Sequence, residues 1–349
     1  MKKIILLMLL VVVPLSAQQF GQVGTSGAQI LKIGFDPRAS GLGYAAASIV
    51  DNAASMYTNV AGIEGIKKAD VAFTYVPWFA SINMASLAVA YRLEGIGVVG
   101  MQATGFSTQE EITTVQMENG TGQDYSIQNL VFGLSFARHI TDKLIIGAQA
   151  KYIRESYFEH STGGLAFDIG SNYEMGFLGA RLGMSLQNFG ADLNPLSGGY
   201  PDYSEGNIQK GFMRTPLPVT FRASFSAQPI VTDAYSVRLI GDLIHPNDNV
   251  EHYSLGTEIL LYDLIALRGG LKLNYDDETF AVGLGVKGGQ LLGQNVRLDY
   301  SFEKFTILPS SRETRASIRS GMRLCSSSAY LTMSAVLRHS TSRSCRSRK

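Results

Sequence analysis

From about Asp70 to Leu324, large apolar residues alternate with small or polar ones in short stretches. Leu130, Phe132, Leu134 and Phe136 stand against Asn129, Gly133, Ser135 and Ala137, and Val296, Leu298, Tyr300 and Phe302 stand against Arg297, Asp299, Ser301 and Glu303. Successive strand side chains point to opposite faces, so this period of two gives each stretch one greasy and one wet face. Breaks rich in Gly, Asn, Asp and Pro separate the stretches. The pattern predicts an all-β chain forming a transmembrane antiparallel β-barrel.

The pattern divides into about fourteen strands, at 70–78, 85–93, 95–106, 125–138, 143–155, 162–174, 178–188, 217–227, 235–244, 252–261, 264–275, 279–288, 294–303 and 314–324. Most are close to the ~9–11 residues that cross a bilayer at a tilt. An even count is expected when both ends of the barrel lie in the periplasm. The longest connections, Ser107–Asp124 and Phe189–Pro216, follow odd strands, whereas connections after even strands are brief, such as Glu94 and Met175–Phe177. Long outer loops and short periplasmic turns are the barrel habit, which a soluble sheet has no reason to share.

The predicted outward face carries Val71, Phe73, Tyr75, Leu87, Val89, Tyr91, Leu182, Met184, Leu186, Phe221, Phe280, Val282 and Leu284. Charges fall on the inward face: Arg92, Asp168, Arg181, Arg222, Arg238, Asp242, Glu258, Arg268, Lys272, Arg297, Asp299 and Glu303, with Gln149, Lys151 and Lys287. Facing lipid, such groups would cost about 2–4 kcal/mol each at the membrane midplane. Inside, the mixed signs fit either a selective ion path or a salt-bridged interior, and cross-strand pairing favours the second. Inward positions are also rich in Gly, including Gly147, Gly170, Gly256, Gly270 and Gly283. Small inward residues leave room for an occupant or let strands bend.

The chain opens with Lys2 and Lys3, an apolar run from Ile4 to Val13, and Pro14-Leu15-Ser16-Ala17. This reads as a signal peptide over residues 1–17, cut before Gln18. The apolar run is too short for a spanning helix, which needs about 20 residues. Of 30 basic residues, two lie in this leader and five in the last 25 residues, leaving 23 against 29 acidic ones. The remainder is mildly acidic and carries no basic footprint for nucleic acid. Both cysteines, Cys325 and Cys345, fall in the last 25 residues, so the barrel holds neither a disulfide framework nor a thiolate metal site. That Ser/Arg-rich stretch, 325–349, has neither strand period nor core pattern and reads as a disordered or frameshifted tail. It follows a weakly alternating last strand that contains Arg315, Arg319 and Arg323.

Catalysis finds little support. His139, His160, His245, His252 and His339 show no His-x-x-x-His spacing, and no Gly-x-Ser-x-Gly elbow accompanies them. Gly283-x-Gly285-x-x-Gly288 matches a dinucleotide fingerprint in letters, but it lies in an alternating strand with no helix to follow. The sequence therefore predicts no enzyme, no cofactor and no metal.

Residues 36–63 depart from the strand period and are rich in Ala. Asp51 or Asn52 is placed to cap a short helix running to about Asn59, with Gly62 ending it. Residues 18–68 are thus expected to form one or two short helices that plug the barrel at 69–324. The run Arg38-Ala39-x-Gly41-x-Gly43-x-Ala45, then Asp51-Asn52-Ala53-x-x-Met56-Tyr57-x-Asn59-x-Ala61-Gly62, then a first strand, resembles the PorV/PorQ family, one branch of the fourteen-stranded barrels related to the fatty-acid channel FadL. Val60 departs from it, standing where the family commonly has Pro.

The resemblance implies a bacterial outer-membrane component of the type IX secretion system. Its partners would be the lipid bilayer, secreted cargo proteins with a C-terminal sorting domain, and other secretion-system subunits. Tyr200, Tyr203, Phe212 and Met213, in the second long loop, are the expected partner-binding residues or a self-packed outer lid. The alternative is a FadL-like channel for fatty acids or other hydrophobic small molecules. Inward positions that are mostly Gly, Ala and charged argue weakly against a greasy lumen.

Overall fold

The computed structural model describes residues 24–322 apart from 79–81, 113, 115, 117–120, 203–207, 292–293 and 306–311. The expected signal peptide at 1–17 and the tail at 325–349, with both cysteines and His339, lie outside the described residues.

The wall begins with β1 (Ala69–Pro77), β2 (Asn83–Leu93), β3 (Gly97–Glu111), β4 (Asp124–His139), β5 (Leu144–Tyr157), β6 (His160–Glu174) and β7 (Arg181–Phe189). A small ribbon of β8 (Tyr200–Asp202) and β9 (Ile208–Lys210) interrupts it. The wall resumes with β10 (Thr220–Val231), β11 (Tyr235–Pro246), β12 (His252–Leu261), β13 (Ile265–Leu273), β14 (Glu278–Leu291), β15 (Gln294–Phe305) and β16 (Arg312–Met322). Each wall strand pairs antiparallel with the next, and β7 pairs with β10. The connections after odd wall strands, including the long stretch between β7 and β10, mark the outer end.

The fold expectation takes a correction here. The sheet described with side chains has thirteen antiparallel strands, β1–β7 and β10–β15, and these thirteen do not close on themselves: β1 and β15 are not partners. The backbone ring is completed through Arg312–Met322, which pairs with β1 on one side and β15 on the other. The long second loop contributes its own two-stranded ribbon, because a stretch of such length needs partners for its backbone groups.

The expected helical plug also differs in kind. The segment before β1 contains one five-residue α-helix, Pro37–Gly41, and three 3-10 helices, Gln29–Lys32, Ala53–Tyr57 and Val60–Gly65. The last three are too short to sustain an i→i+4 ladder, which favours the tighter 3-10 turn, whereas Pro37–Gly41 closes one such bond from the Ser40 amide to the Asp36 carbonyl. Asn52 caps Ala53–Tyr57 by accepting from the Ser55 amide at 2.7 Å. Asp51 is not a cap, and Gly62 lies inside the Val60–Gly65 helix rather than ending a longer one. Asn59 starts a new helix by accepting from the Ala61 amide, so the turn forms without Pro at position 60.

The alternation sorts the wall. Phe73, Tyr75, Leu87, Tyr91, Met184, Phe221 and Leu284 are exposed on the outside, as lipid contact requires. On the inside, glycine creates the seats for the plug. Gly41 lies on Gly283, where a Cβ would stand 2.8 Å from the Gly283 Cα. Gly43, at φ +66°, lies on Gly270, where a Cβ would come within 2.1 Å of the Gly43 amide nitrogen. Gly170, Gly147 and Gly183 receive Asn59, Ala61 and Ala47 in the same way.

Gly269, next to Gly270, points outward into open space. The substitution Gly270→Val is expected to destabilise the protein by about 1–3 kcal/mol through overpacking, or to expel the plug, whereas Gly269→Val stays within about 0.5 kcal/mol. Urea unfolding in detergent, paired with limited proteolysis of residues 24–66, measures both. Equal effects at the two sites would show that the wall does not seat the plug.

Candidate functional site

The plug threads the lumen from end to end. Near the outer end, the Gly27 amide donates to the Pro216 carbonyl, while Ser26 and Lys32 both bond Asp248 in the β11–β12 turn. The chain then descends through the Pro37–Gly41 helix, whose Asp36 cap accepts from the Arg38 amide at 2.9 Å. Lower down, Asp242 accepts from the amides of Ala46 and Ala47, and Asp70 accepts from the Ala53 amide. At the periplasmic end, Glu64 meets Arg92 at 2.8 Å and His139 at 2.7 Å, just before the chain enters β1.

Arg38 is the principal tie. Its Nε and Nη2 donate to the two oxygens of Glu258 at 2.8 and 2.6 Å, a bidentate clamp, and Nη1 donates to Asp51. Strand register makes the site: Arg238, Glu258 and Arg268 lie opposite one another on β11, β12 and β13, and Gly283 follows on β14. Arg268 is fully buried and bridges Glu258 at 2.8 Å to Asp299 at 2.7 Å, while Arg297 reaches Asp299 at 2.8 Å. Burial alone would lower the Arg38 pKa, but Asp51 and Glu258 raise it well above its ordinary value. Burial, with the nearby Asp299 charge, pushes the Asp36 carboxyl above the usual carboxylate range. Beside this network, Ser40 donates to Glu303 at 2.8 Å, and Lys272 pairs with Glu303 and Glu278.

The remaining inward charges are spread around the wall. Asp168 pairs with Lys151 at 2.8 Å. Arg222 donates to Gln187 and to the Tyr44 carbonyl. Arg181 stands apart at the rim, 3.9 Å from Glu174. Of the motif residues, Arg38 and Asp51 join the clamp, Asn52 and Asn59 cap, and Gly41 and Gly43 seat against the wall. Ala61 lies against Gly147, and Gly62 packs tightly on Ser55 and Ile49.

An apolar cluster at the outer half of the lumen escapes the sequence reading. Ile30 and Phe35 of the plug pack with Val76, Met84, Val131, Ile153, Leu193 and Leu217. Phe35 leans on Tyr57 with ring centroids 5.9 Å apart. A void of about 30 Å³ remains between Leu31, Phe35, Met56 and Tyr57 on its apolar side and Gln102, Lys151, Asp168 and Asn188 on its polar side. Val131 and Ile153 sit at inward positions of β4 and β5, so extending the inward register to the outer strand ends would have found them.

In the outer loop, Phe212 packs on His160 and on Tyr200, at 5.2 and 5.6 Å between centroids, while Met213 is exposed and Tyr203 lies outside the described residues. His245 pairs with Glu251, and His252 meets the Asn274 carbonyl. Among the described residues, no cluster of His, Cys, Asp and Glu is placed to hold a metal ion.

No family model matches the sequence, and no curated protein matches it. Solved structures do. The Ralstonia pickettii toluene transporter TbuX matches at 15% identity and a TM-score of 0.51, over 82% of this chain and 97% of that one. A Pseudomonas aeruginosa FadL homologue matches at 12% identity and a TM-score of 0.55, over 82% and 97%. The CymD monoaromatic hydrocarbon channel matches at 14% identity and a TM-score of 0.53, over 82% and 96%. The chain has the fold of the FadL-type barrels of the bacterial outer membrane. That likeness is not specific to PorV or PorQ, and it corrects the expected type IX secretion role. The expected cargo proteins and secretion-system partners fall with it. A non-enzymatic role is consistent with resemblance to transporters and channels.

Arg38→Ala strips one partner from a buried pair, which costs about 3–5 kcal/mol where the remaining charge stays buried. We expect a corresponding loss of stability, higher conductance in planar bilayers, and faster cleavage of the plug. The stability loss should persist in high salt, because buried pairs are weakly screened. A loss that disappears at high salt would place the clamp in bulk water.

Proposed function

We propose that this protein is a FadL-like outer-membrane channel for small hydrophobic molecules, with the N-terminal plug as its gate. The observation that carries this reading is the apolar cluster of Ile30, Phe35, Val131 and Ile153, lying under the outer loops and divided from the charged clamp below. The void there is about the size of one water molecule, so a solute must displace the plug to occupy it. Apolar contacts around Ile30 and Phe35 are non-directional and can be exchanged for a solute of like chemistry. The clamp at Arg38 then holds the lower plug in register while the upper part shifts. The shared fold with a toluene transporter and a monoaromatic hydrocarbon channel points to the same class of solute.

Ser26, at the outer end of the plug that has to shift, donates to Asp248 in the β11–β12 turn, which offers a test. Cells lacking their own hydrocarbon channel would express either the native chain or S26C/D248C with both tail cysteines replaced by Ser. Initial uptake of labelled toluene and oleate is expected to rise several-fold with the native chain. Oxidised S26C/D248C should fall to background and recover on reduction. No uptake above background with folded native protein would overturn the channel reading. Uptake unaffected by the crosslink would overturn the gating role of the plug.

A further inference from the structure

A second site lies on the outside of the barrel, away from the plug. Along the lipid-facing side of β5 the exposed residues run Ile146, Ala148, Ala150, Tyr152 and then Arg154, toward the outer end. Leu165 and Phe167 stand beside them on β6, with Leu165 directly opposite Tyr152. An apolar stretch that ends in an aromatic residue and then a cation marks the level at which acyl chains give way to headgroups.

The wall is built up at this place by a loop. Above Phe167, β6 no longer pairs with β7, and the segment after β7 folds back against it. Asn194 donates its amide to the Gly163 carbonyl at 3.2 Å, Ser197 donates to the Ser161 carbonyl at 2.9 Å, and Thr162 donates to Asn194. Leu193 bridges to Thr215, which brings Arg214 over the same surface. The result is a cleft of about 650 Å³ with Arg154 and Arg214 at its polar part and Tyr152, Leu165 and Phe167 along its apolar part. Asp192 is the acidic residue in its lining. Both arginines are exposed, and among the described residues neither has an ion-pair partner.

We propose that this cleft binds the phosphate of an anionic outer-leaflet lipid, with its acyl chains laid along Tyr152, Leu165 and Phe167. A guanidinium presents a fork of N–H donors that matches phosphate oxygens, and two of them above an apolar strip fit an amphiphile rather than a free hydrophobic solute. Exposed guanidiniums beside lipid are tolerated only near the interface, where a headgroup oxygen supplies the missing partner. The site is separate from the lumen, so it stands or falls independently of the channel reading. Its occupancy also bears on the loop, because the segment 191–195 forms one side of the cleft.

The test uses the full chain, purified in mild detergent, and its R154A/R214A variant, with folding verified by heat-modifiable gel mobility. Each is incubated with phosphatidylglycerol or with diacylglycerol of the same chain length, and bound lipid is counted by native mass spectrometry. We expect the native chain to retain one phosphatidylglycerol and the variant to bind it at least tenfold more weakly, with diacylglycerol retained by neither. Equal retention by the folded variant would overturn the proposal. Equal retention of diacylglycerol would reduce the cleft to an apolar groove, and full displacement by millimolar inorganic phosphate would make it a free-anion site. Either result also overturns it.

Discussion

The bidentate contact between Arg38 and Glu258 organises the interior because it is the charge-assisted centre of the set of ties that hold plug and wall in register. A barrel of about eight strands is filled by its own side chains, whereas one of about sixteen leaves a water-filled channel. The wall here falls between those limits and is filled by a length of its own chain. The plug has no sheet to pair with and little helix of its own, so its backbone groups are satisfied by wall side chains: Asp242, Asp70 and Ser224 accept from it directly. Arg38 supplies the strongest of these ties, and the cross-strand row Arg238, Glu258 and Arg268 holds its acceptor in place.

Polar and apolar contacts occur together at both ends of the lumen. The lower half joins Ala53, Met56, Val60 and Ile63 to small wall residues such as Ala72, Ala88 and Ala137, and the charged clamp sits to one side of it. The upper half is an aliphatic and aromatic cluster beneath the outer loops. Directional hydrogen bonds and ion pairs resist displacement, since breaking one leaves a buried group unpaired. Apolar packing is exchangeable. At its outer end the plug is packed by exchangeable apolar contacts but also tied by Ser26 and Lys32 to Asp248 and by Gly27 to Pro216, and those ties must release for it to move there.

Much of the wall is legible in the sequence. The period of two fixes which face of each strand is greasy, and Phe73, Leu87 and Leu284 all stand on the expected side. Strand ends are less legible because hydrogen bonding continues past the membrane: β3 runs on to Glu111 and β4 begins at Asp124, shortening the loop drawn between them. The ribbon within the second loop has too few residues to show a period. The capping role of Asn52 is visible locally, but Asp51 resembles a cap equally well, and it is the distant Arg38 that claims it.

The sequence by itself determined the alternation, the inward charges and glycines, and the aperiodic segment ahead of the first strand, since each depends on neighbours along the chain. Only the tertiary structure decided that Arg38 meets Glu258, that Gly41 lies on Gly283, and that Val131, Ile153 and Leu217 close over Phe35. Those contacts join residues far apart in sequence, and their geometry is set by strand register around the whole ring. The same ring carries the likeness of fold: a short run of plug residues resembles PorV/PorQ, whereas the wall has the fold of solved FadL-type structures.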